Sequence, residues 1–289
     1  MLYNSGKIKM KKYIVIIIST VILFAFGGCQ KFAGDPITKD FSISGDYTEL
    51  EVEDAFDVIV SDLATQVTIT AGEYVMPNVV VEIVDNTLKI YLKGWHTSYG
   101  TDMKVMLPYN ANLKSVDLSG ASSFQSGYGL KGAKVKVDLS GSSDFDSNID
   151  ADEVVIELSG ASNFIGNILA DKIDMELSGS SDIKGLVDAT NLDIELSGAS
   201  DANLEGQVGT LKVELAGASD IEKKVVGNHY ALVCEICEGT ISGASNAYIH
   251  CDDTIKVSLS GASDLHFTGS AFTGDSSTSG SSHIYHDVL

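Results

Sequence analysis

Nine times between residues 117 and 282 the chain writes nearly the same phrase. VDLSGSSDF at 137–145, VIELSGASNF at 155–164, MELSGSSDI at 175–183, IELSGASDA at 194–202 and VSLSGASDL at 257–265 are five of the copies. The fixed point is a glycine, at Gly120, Gly141, Gly160, Gly179, Gly198, Gly217, Gly243, Gly261 and Gly280, with successive spacings of 21, 19, 19, 19, 19, 26, 18 and 19 residues. A period in this range is the signature of a repeat architecture, in which one unit cannot bury its own apolar side and stacked units can. Around each glycine the apolar residues alternate, as in Val154, Ile156 and Leu158, and period-two alternation rich in Val, Ile and Leu predicts strands. Glycine inside such a run supplies unusual dihedrals or close backbone approach, so each copy is expected to be two strands meeting at a bend.

The expected fold is therefore all-β: a parallel β-helix or β-solenoid of about nine coils of ~19 residues, stacked at about 4.8 Å per coil. Stacking turns equivalent positions into columns. One inward column runs from Leu118 through Leu139, Leu158, Leu177, Leu196, Leu215 and Ile241 to Leu259. A second runs Phe124, Phe145, Phe164, Ile183, Ala202, Ile221, Ala247, Leu265. A third is serine, including Ser162, Ser181 and Ser200, which reads as a hydroxyl ladder at the bend. A nucleophile needs its own base, which nine equivalent serines do not have.

Residues 41–115 lack the phrase but hold strand-like runs such as FDVIV (56–60) and TLKIYL (87–92), separated by turn residues. They are expected to form an N-terminal β-subdomain that caps the solenoid (116–289), since an uncovered edge invites aggregation. The 26-residue interval between Gly217 and Gly243 predicts an excursion within 222–233.

Four lysines precede an apolar run from Tyr13 to Phe26 and then Gly27, Gly28 and Cys29. Fourteen residues are too few to span a bilayer comfortably and fit an export signal. The segment resembles the lipobox of bacterial lipoproteins, which implies a signal at 1–28, acylation at Cys29, a tether over 29–40 and membrane attachment through the lipid. Gln30 after the cysteine implies the outer membrane, on its surface or periplasmic face. A plain secretory signal is the alternative.

The chain carries 40 acidic and 19 basic residues, all the latter Lys, for a net charge of −21. Nucleic acid is excluded as a partner, because phosphate neutralisation needs a basic face and base readout leans on Arg. Two outward columns are acidic: Asp117, Asp138, Glu157, Glu176, Glu195 and Glu214, and then Asp144, Asn163, Asp182, Asp201, Asp220, Asn246 and Asp264. Charges about 4.8 Å apart repel by roughly 1 kcal/mol per pair in bulk water, so the columns are either well solvated or bridged by cations. Ca²⁺ suits oxygen ligands, and Glu157, Glu176, Glu195, Glu214, Asp182, Asp201 and Asp220 are its candidate ligands. No other cofactor is implied. Cys234 and Cys237 form a CxxC in a strand-like stretch, with Cys251 at an inward position; these are structural thiols or a local disulfide. His283 and His286, three apart, read as a polar cap.

With its lipoprotein signal, the AFDVIV stretch and the serial LSGAS phrase, the chain resembles the Bacteroidetes family of putative auto-transporter adhesins with a head GIN domain, over roughly 41–289. The resemblance implies surface binding to a host protein or a glycan and brings no catalytic residue. A periplasmic scaffold or envelope-stress component is the alternative. A polysaccharide-active enzyme is disfavoured: pectate-lyase-like β-helices use an Arg as base, and glycosidases need two carboxylates in distinct environments. Specific Ca²⁺ sites would make the melting temperature rise with Ca²⁺ beyond any effect of Mg²⁺ at fixed ionic strength; equal responses would leave a solvated face.

Overall fold

A computed structural model describes residues 33–94 and 102–289. The signal segment, Cys29 and His96 lie outside the described residues. The N-terminal third holds β1 (Pro36–Phe41), β2 (Glu49–Val52), β3 (Phe56–Ser61), β4 (Val67–Gly72), β5 (Val79–Val84), β6 (Thr87–Leu92), β7 (Met103–Pro108) and β8 (Ser115–Leu118). There follow β9 (Ser123–Leu139), β10 (Asp144–Leu158), β11 (Asn163–Ile165), β12 (Ile168–Leu177), β13 (Asp182–Leu196), β14 (Asp201–Leu215) and β15 (Asp220–Ile221). The rest is β16 (Val225–Val226), β17 (His229–Tyr230), β18 (Leu232–Ile241), β19 (Asn246–Leu259), β20 (Asp264–Thr268), β21 (Ser277–Thr278) and β22 (His283–His286).

The architecture is the expected β-solenoid. Equivalent residues of successive coils pair in parallel and in register, as Phe145 with Phe164 and Leu158 with Leu177. The leucine column is continuous from Ile90 through Val52 and Leu118 up to Leu259. The phenylalanine column starts lower, at Val105 and Val58, and ends at Ile284. Within it the rings of Phe124, Phe145 and Phe164 stack at 5.3 and 4.9 Å, tilted by only 14° and 12°. The tight stack follows from exact repetition, because rings on in-register strands arrive in the same rotamer and pack offset.

Each bend is fixed by glycine. Gly160, Gly179 and Gly198 have φ of 79°, 81° and 79°, the left-handed region that L side chains rarely enter. A Cβ at Gly179 would overlap the carbonyl oxygen of Gly160 in the coil before. That oxygen instead accepts from the N–H of Ser180 at 2.8 Å, and the same bond recurs from coil to coil, as from Ala199 to Gly179. Whereas alternation alone places Gly160 on the inward side, it sits exposed at the corner, and the chain turns inward again at Ser162.

The serine column is buried throughout, from Ser122 to Ser282. Ser162 Oγ donates to the carbonyl of Ser159 at 2.9 Å and accepts from the N–H of Ser143 in the previous coil at 3.4 Å. Ser181 and Ser200 repeat the donation to Ser178 and Ser197. The Ser162 hydroxyl thus bonds a carbonyl of its own corner and an amide of the neighbouring coil, where the regular ladder is interrupted.

The parallel ladder runs across residue 115 without a break. Residues 49–61 form a coil directly beneath residues 115–125, with Glu49–Val52 under Ser115–Leu118 and Asp57–Ile59 under Ser123–Gln125. Asp54 takes the glycine position of that coil, at φ 73°, and its carbonyl accepts from Ala121. Its carboxylate accepts the Leu92 N–H of β6 at 2.8 Å. Below lies the β6–β7 layer, which comes later in sequence than the layer it supports. Antiparallel strands close this end, β5 on β6 through a turn at Asp85 and Asn86, and β4 on β7 with β1 on β4. Residues 36–40, expected in the tether, therefore belong to the sheet.

The 26-residue interval is accounted for by the β16–β17 hairpin, which turns at Gly227 and leaves the stack between β15 and β18. Gly179→Ala is expected to destabilise the fold by about 2 kcal/mol or more from backbone strain alone, seen as a lower denaturation midpoint. Gly127→Ala, where an added Cβ meets nothing within 4 Å, should stay within about 0.5 kcal/mol. Urea unfolding followed by circular dichroism compares the two.

Candidate functional site

The first acidic column lies on one outward line in register from Glu51 through Asp117, Asp138, Glu157, Glu176 and Glu195 to Glu214. Lysines relieve it at intervals. Lys89 pairs with Glu51, Lys136 lies 3.3 Å from Asp138 and 2.9 Å from Glu157, and Lys212 lies 3.0 Å from Glu214 and 3.1 Å from Asp193. Desolvation, then the charges of Asp138 and Glu51, push the Asp117 carboxyl up to about 6. Desolvation and the neighbouring Glu214 raise Glu195 in the same direction.

In the second column, asparagines interrupt the run. Asn163 Nδ2 donates to Asp144 at 2.7 Å and Asn246 Nδ2 to Asp220 at 3.0 Å, so an amide replaces a charge where two carboxylates would abut. Asp182, Asp201 and Asp220 remain consecutive, and desolvation is the main cause of the raised Asp201 carboxyl. Among the described residues no group of three or more His, Cys, Asp or Glu is arranged to hold a metal ion.

Cys234 and Cys251 are paired in register on adjacent coils, both buried. Cys237 is buried on the far side of a break in the alternation. All three are free thiols, and no disulfide joins them. Cys251 Sγ donates to the Glu235 carbonyl at 3.2 Å, and burial pushes the Cys237 thiol up, away from the thiolate that redox chemistry needs. His283 Nδ1 lies 3.3 Å from Asp264, while His286 stacks flat on Phe267 at 4.6 Å, so the two point to opposite sides of the last strand.

A different place gathers side chains that no column repeats. Three loops converge beside the cap: residues 62–66 after β3, residues 109–114 after β7, and a bulge inside β9. The bulge is the physical form of the 21-residue spacing between Gly120 and Gly141. Ser126 pairs with Ser147 and Leu130 with Ile149, so Gly127, Tyr128 and Gly129 oppose the single residue Asn148. The bulge swings Tyr128 outward, where its hydroxyl accepts the Asp62 N–H at 3.1 Å. The Tyr109 ring meets the Tyr128 ring at 4.7 Å, tilted by 35°, and the two residues are 43% and 38% exposed.

Beside the rings is a pocket of about 430 Å³ lined by Thr65, Gln66, Tyr109, Asn110 and Asn112, among others. Asn110 is held from two sides. Its Nδ2 donates to the Tyr47 carbonyl at 2.8 Å and its Oδ1 accepts from Asn112 N–H at 2.9 Å, while Tyr109 N–H donates to the Ser61 carbonyl at 3.0 Å. The arrangement combines two partly exposed tyrosine rings with amides and a hydroxyl, held in place by backbone hydrogen bonds. Sequence reasoning missed it; the two-residue excess in the first spacing was the signal available.

The chain matches the family described as "Putative auto-transporter adhesin, head GIN domain" over residues 46–185 and again over 163–271. The chain belongs to this family. The head GIN match begins at residue 46, so it takes in the β2–β3 layer beneath the serial phrase. Three solved structures share the fold of this head GIN chain. A putative adhesin from Parabacteroides distasonis ATCC 8503 aligns with TM-score 0.62 at 20% identity, covering 89% of this chain and 96% of that one. A putative adhesin from Parabacteroides merdae ATCC 43184 gives 0.61 at 18%, covering 89% and 98%. A putative lipid binding protein from Parabacteroides distasonis ATCC 8503 gives 0.60 at 21%, also covering 89% and 98%. No curated protein matches.

A carboxyl raised in the folded state binds protons more tightly there than in the unfolded chain, where an Asp titrates near 3.9. Stability from Asp117 is therefore full below about pH 4 and is lost as pH rises through about 6. Asp117→Asn in this head GIN protein should raise the melting temperature at pH 7.5, and the difference should close between pH 6 and 4. An unchanged difference across that range in thermal melts would contradict the shift.

Proposed function

We propose that the protein is a cell-envelope lipoprotein whose β-helical head binds ligands by surface contact, without catalysis, as an adhesin for host or polysaccharide surfaces. The observation that carries this reading is membership of the adhesin-head family on a scaffold whose flanks repeat. Along the first column the carboxylates repeat from coil to coil, and a general acid and a nucleophile need environments that differ. The pocket beside Tyr109, which departs from the repeat, is built from amides, a hydroxyl and rings rather than from paired acids and bases. Rigid coils suit such a role, since a binding surface held on a ladder loses little entropy on contact.

Lipid attachment at Cys29 would place the head at the envelope. Protease treatment of intact cells, with a periplasmic protein followed as control, tests the outward orientation. The expected result is loss of the head while the control survives. Protection of both would sink the adhesin reading in favour of a periplasmic scaffold.

A further inference from the structure

We infer that the pocket lined by Tyr109, Asn110, Asn112, Gln66 and Thr65, with the Tyr128 ring packed on Tyr109 beside it, is a saccharide subsite that takes an uncharged sugar unit of a glycan chain. The inference rests on the surface-binding reading above and adds to it the location and the chemical class of ligand.

The chemistry of the lining selects the class. A pyranose presents an apolar face of C–H groups and a rim of hydroxyls. The ring pair at 4.7 Å offers an aromatic surface for the first, partly exposed on both residues. Amides carry both donors and acceptors, and so does a hydroxyl, which matches sugar hydroxyls that must donate and accept at once. Asn110 is already oriented by Tyr47 and Asn112, so part of the ordering cost of binding is met before a ligand arrives. Tyr47 itself is buried against the pocket floor, and burial pushes its hydroxyl up, so it stays neutral.

Charge excludes the alternatives. Asp46 lines the pocket, and no Arg exists anywhere in the chain to take a carboxylate or sulfate in a bidentate grip. At a net charge of −21 the protein repels acidic glycans and anionic membranes alike. The site is also singular. Tyr128 owes its position to the bulge in β9, and residues 109–112 lie on the loop that steps from the β6–β7 layer past β2–β3 to β8.

The test applies the full-length protein to an array of neutral oligosaccharides built on glucose, galactose, mannose and N-acetylglucosamine. Sulfated and uronic acid glycans, and zwitterionic phosphatidylcholine vesicles, are run alongside. Retention on at least one neutral glycan is expected, weakened about tenfold or more by Tyr109→Ala, equivalent to about 1.4 kcal/mol. Asn112→Ala, on an exposed loop, should also weaken it, whereas Glu176→Gln, remote from the site, should bind as the parent does.

The assignment is overturned if no neutral glycan is retained, if only acidic glycans or vesicles are, or if Tyr109→Ala binds as well as the parent while its circular dichroism is unchanged. Failure on the array together with protease-accessible heads on cells would remove the saccharide subsite and leave surface binding standing. Retention on the array with heads shielded in the periplasm would do the reverse.

Discussion

At each corner, successive coils meet through their backbones. Where one glycine sits over the last, the lower carbonyl oxygen occupies the space a side chain would need, and it accepts a hydrogen bond from the residue after the upper glycine. That contact fixes the corner, and the corner fixes everything else. It sets the phase of alternation on both sides, so leucines and phenylalanines fall inward and carboxylates outward in every coil. It also forces the serine two residues on to turn in, where its hydroxyl supplies the bonds that the interrupted ladder leaves over. Once one coil adopts the corner, its neighbour is templated by it, and folding is a sum of nearest-neighbour steps.

Because the repeat is so faithful, most of the solenoid is legible in the chain alone. The columns from Leu118 to Leu259 and from Phe124 to Leu265 follow from counting forward from each glycine. The N-terminal layers are less legible, for a physical reason. Their register is set by pairing partners distant in sequence, β2 lying between β6 and β8, and long-range order of that kind leaves no local period. Asp54 shows the difficulty. It stands in the glycine position with a left-handed backbone, yet nothing marks it in sequence, because its carboxylate is accommodated by a bond to the Leu92 N–H of a strand distant in the chain.

The candidate site illustrates the complementary rule. Residues that repeat are committed to stacking, and their chemistry is spread evenly along the flank, as the acidic columns with their interleaved Lys136, Lys212, Asn163 and Asn246 show. Residues that break the period are free of that commitment. The two extra residues before Gly141 carry Tyr128 out of the sheet to meet Tyr109, and the seven extra before Gly243 form the β16–β17 hairpin. A reader of composition alone sees an acidic, serine-rich chain. Only the irregular spacings point to where it differs from itself.

The pocket is assembled wholly from the first layers, by the β1–β2 connection and the loops after β3 and β7, with the β9 bulge beside it, while the coils beyond β10 contribute nothing to its walls. Length and recognition are thereby separate properties of the molecule. Inserting or deleting a whole 19-residue coil in the regular stretch between Gly160 and Gly217 would lengthen or shorten the rod by one rung, about 4.8 Å, without touching the ligand contacts. Relatives built on this plan can vary in stature while keeping the same grip.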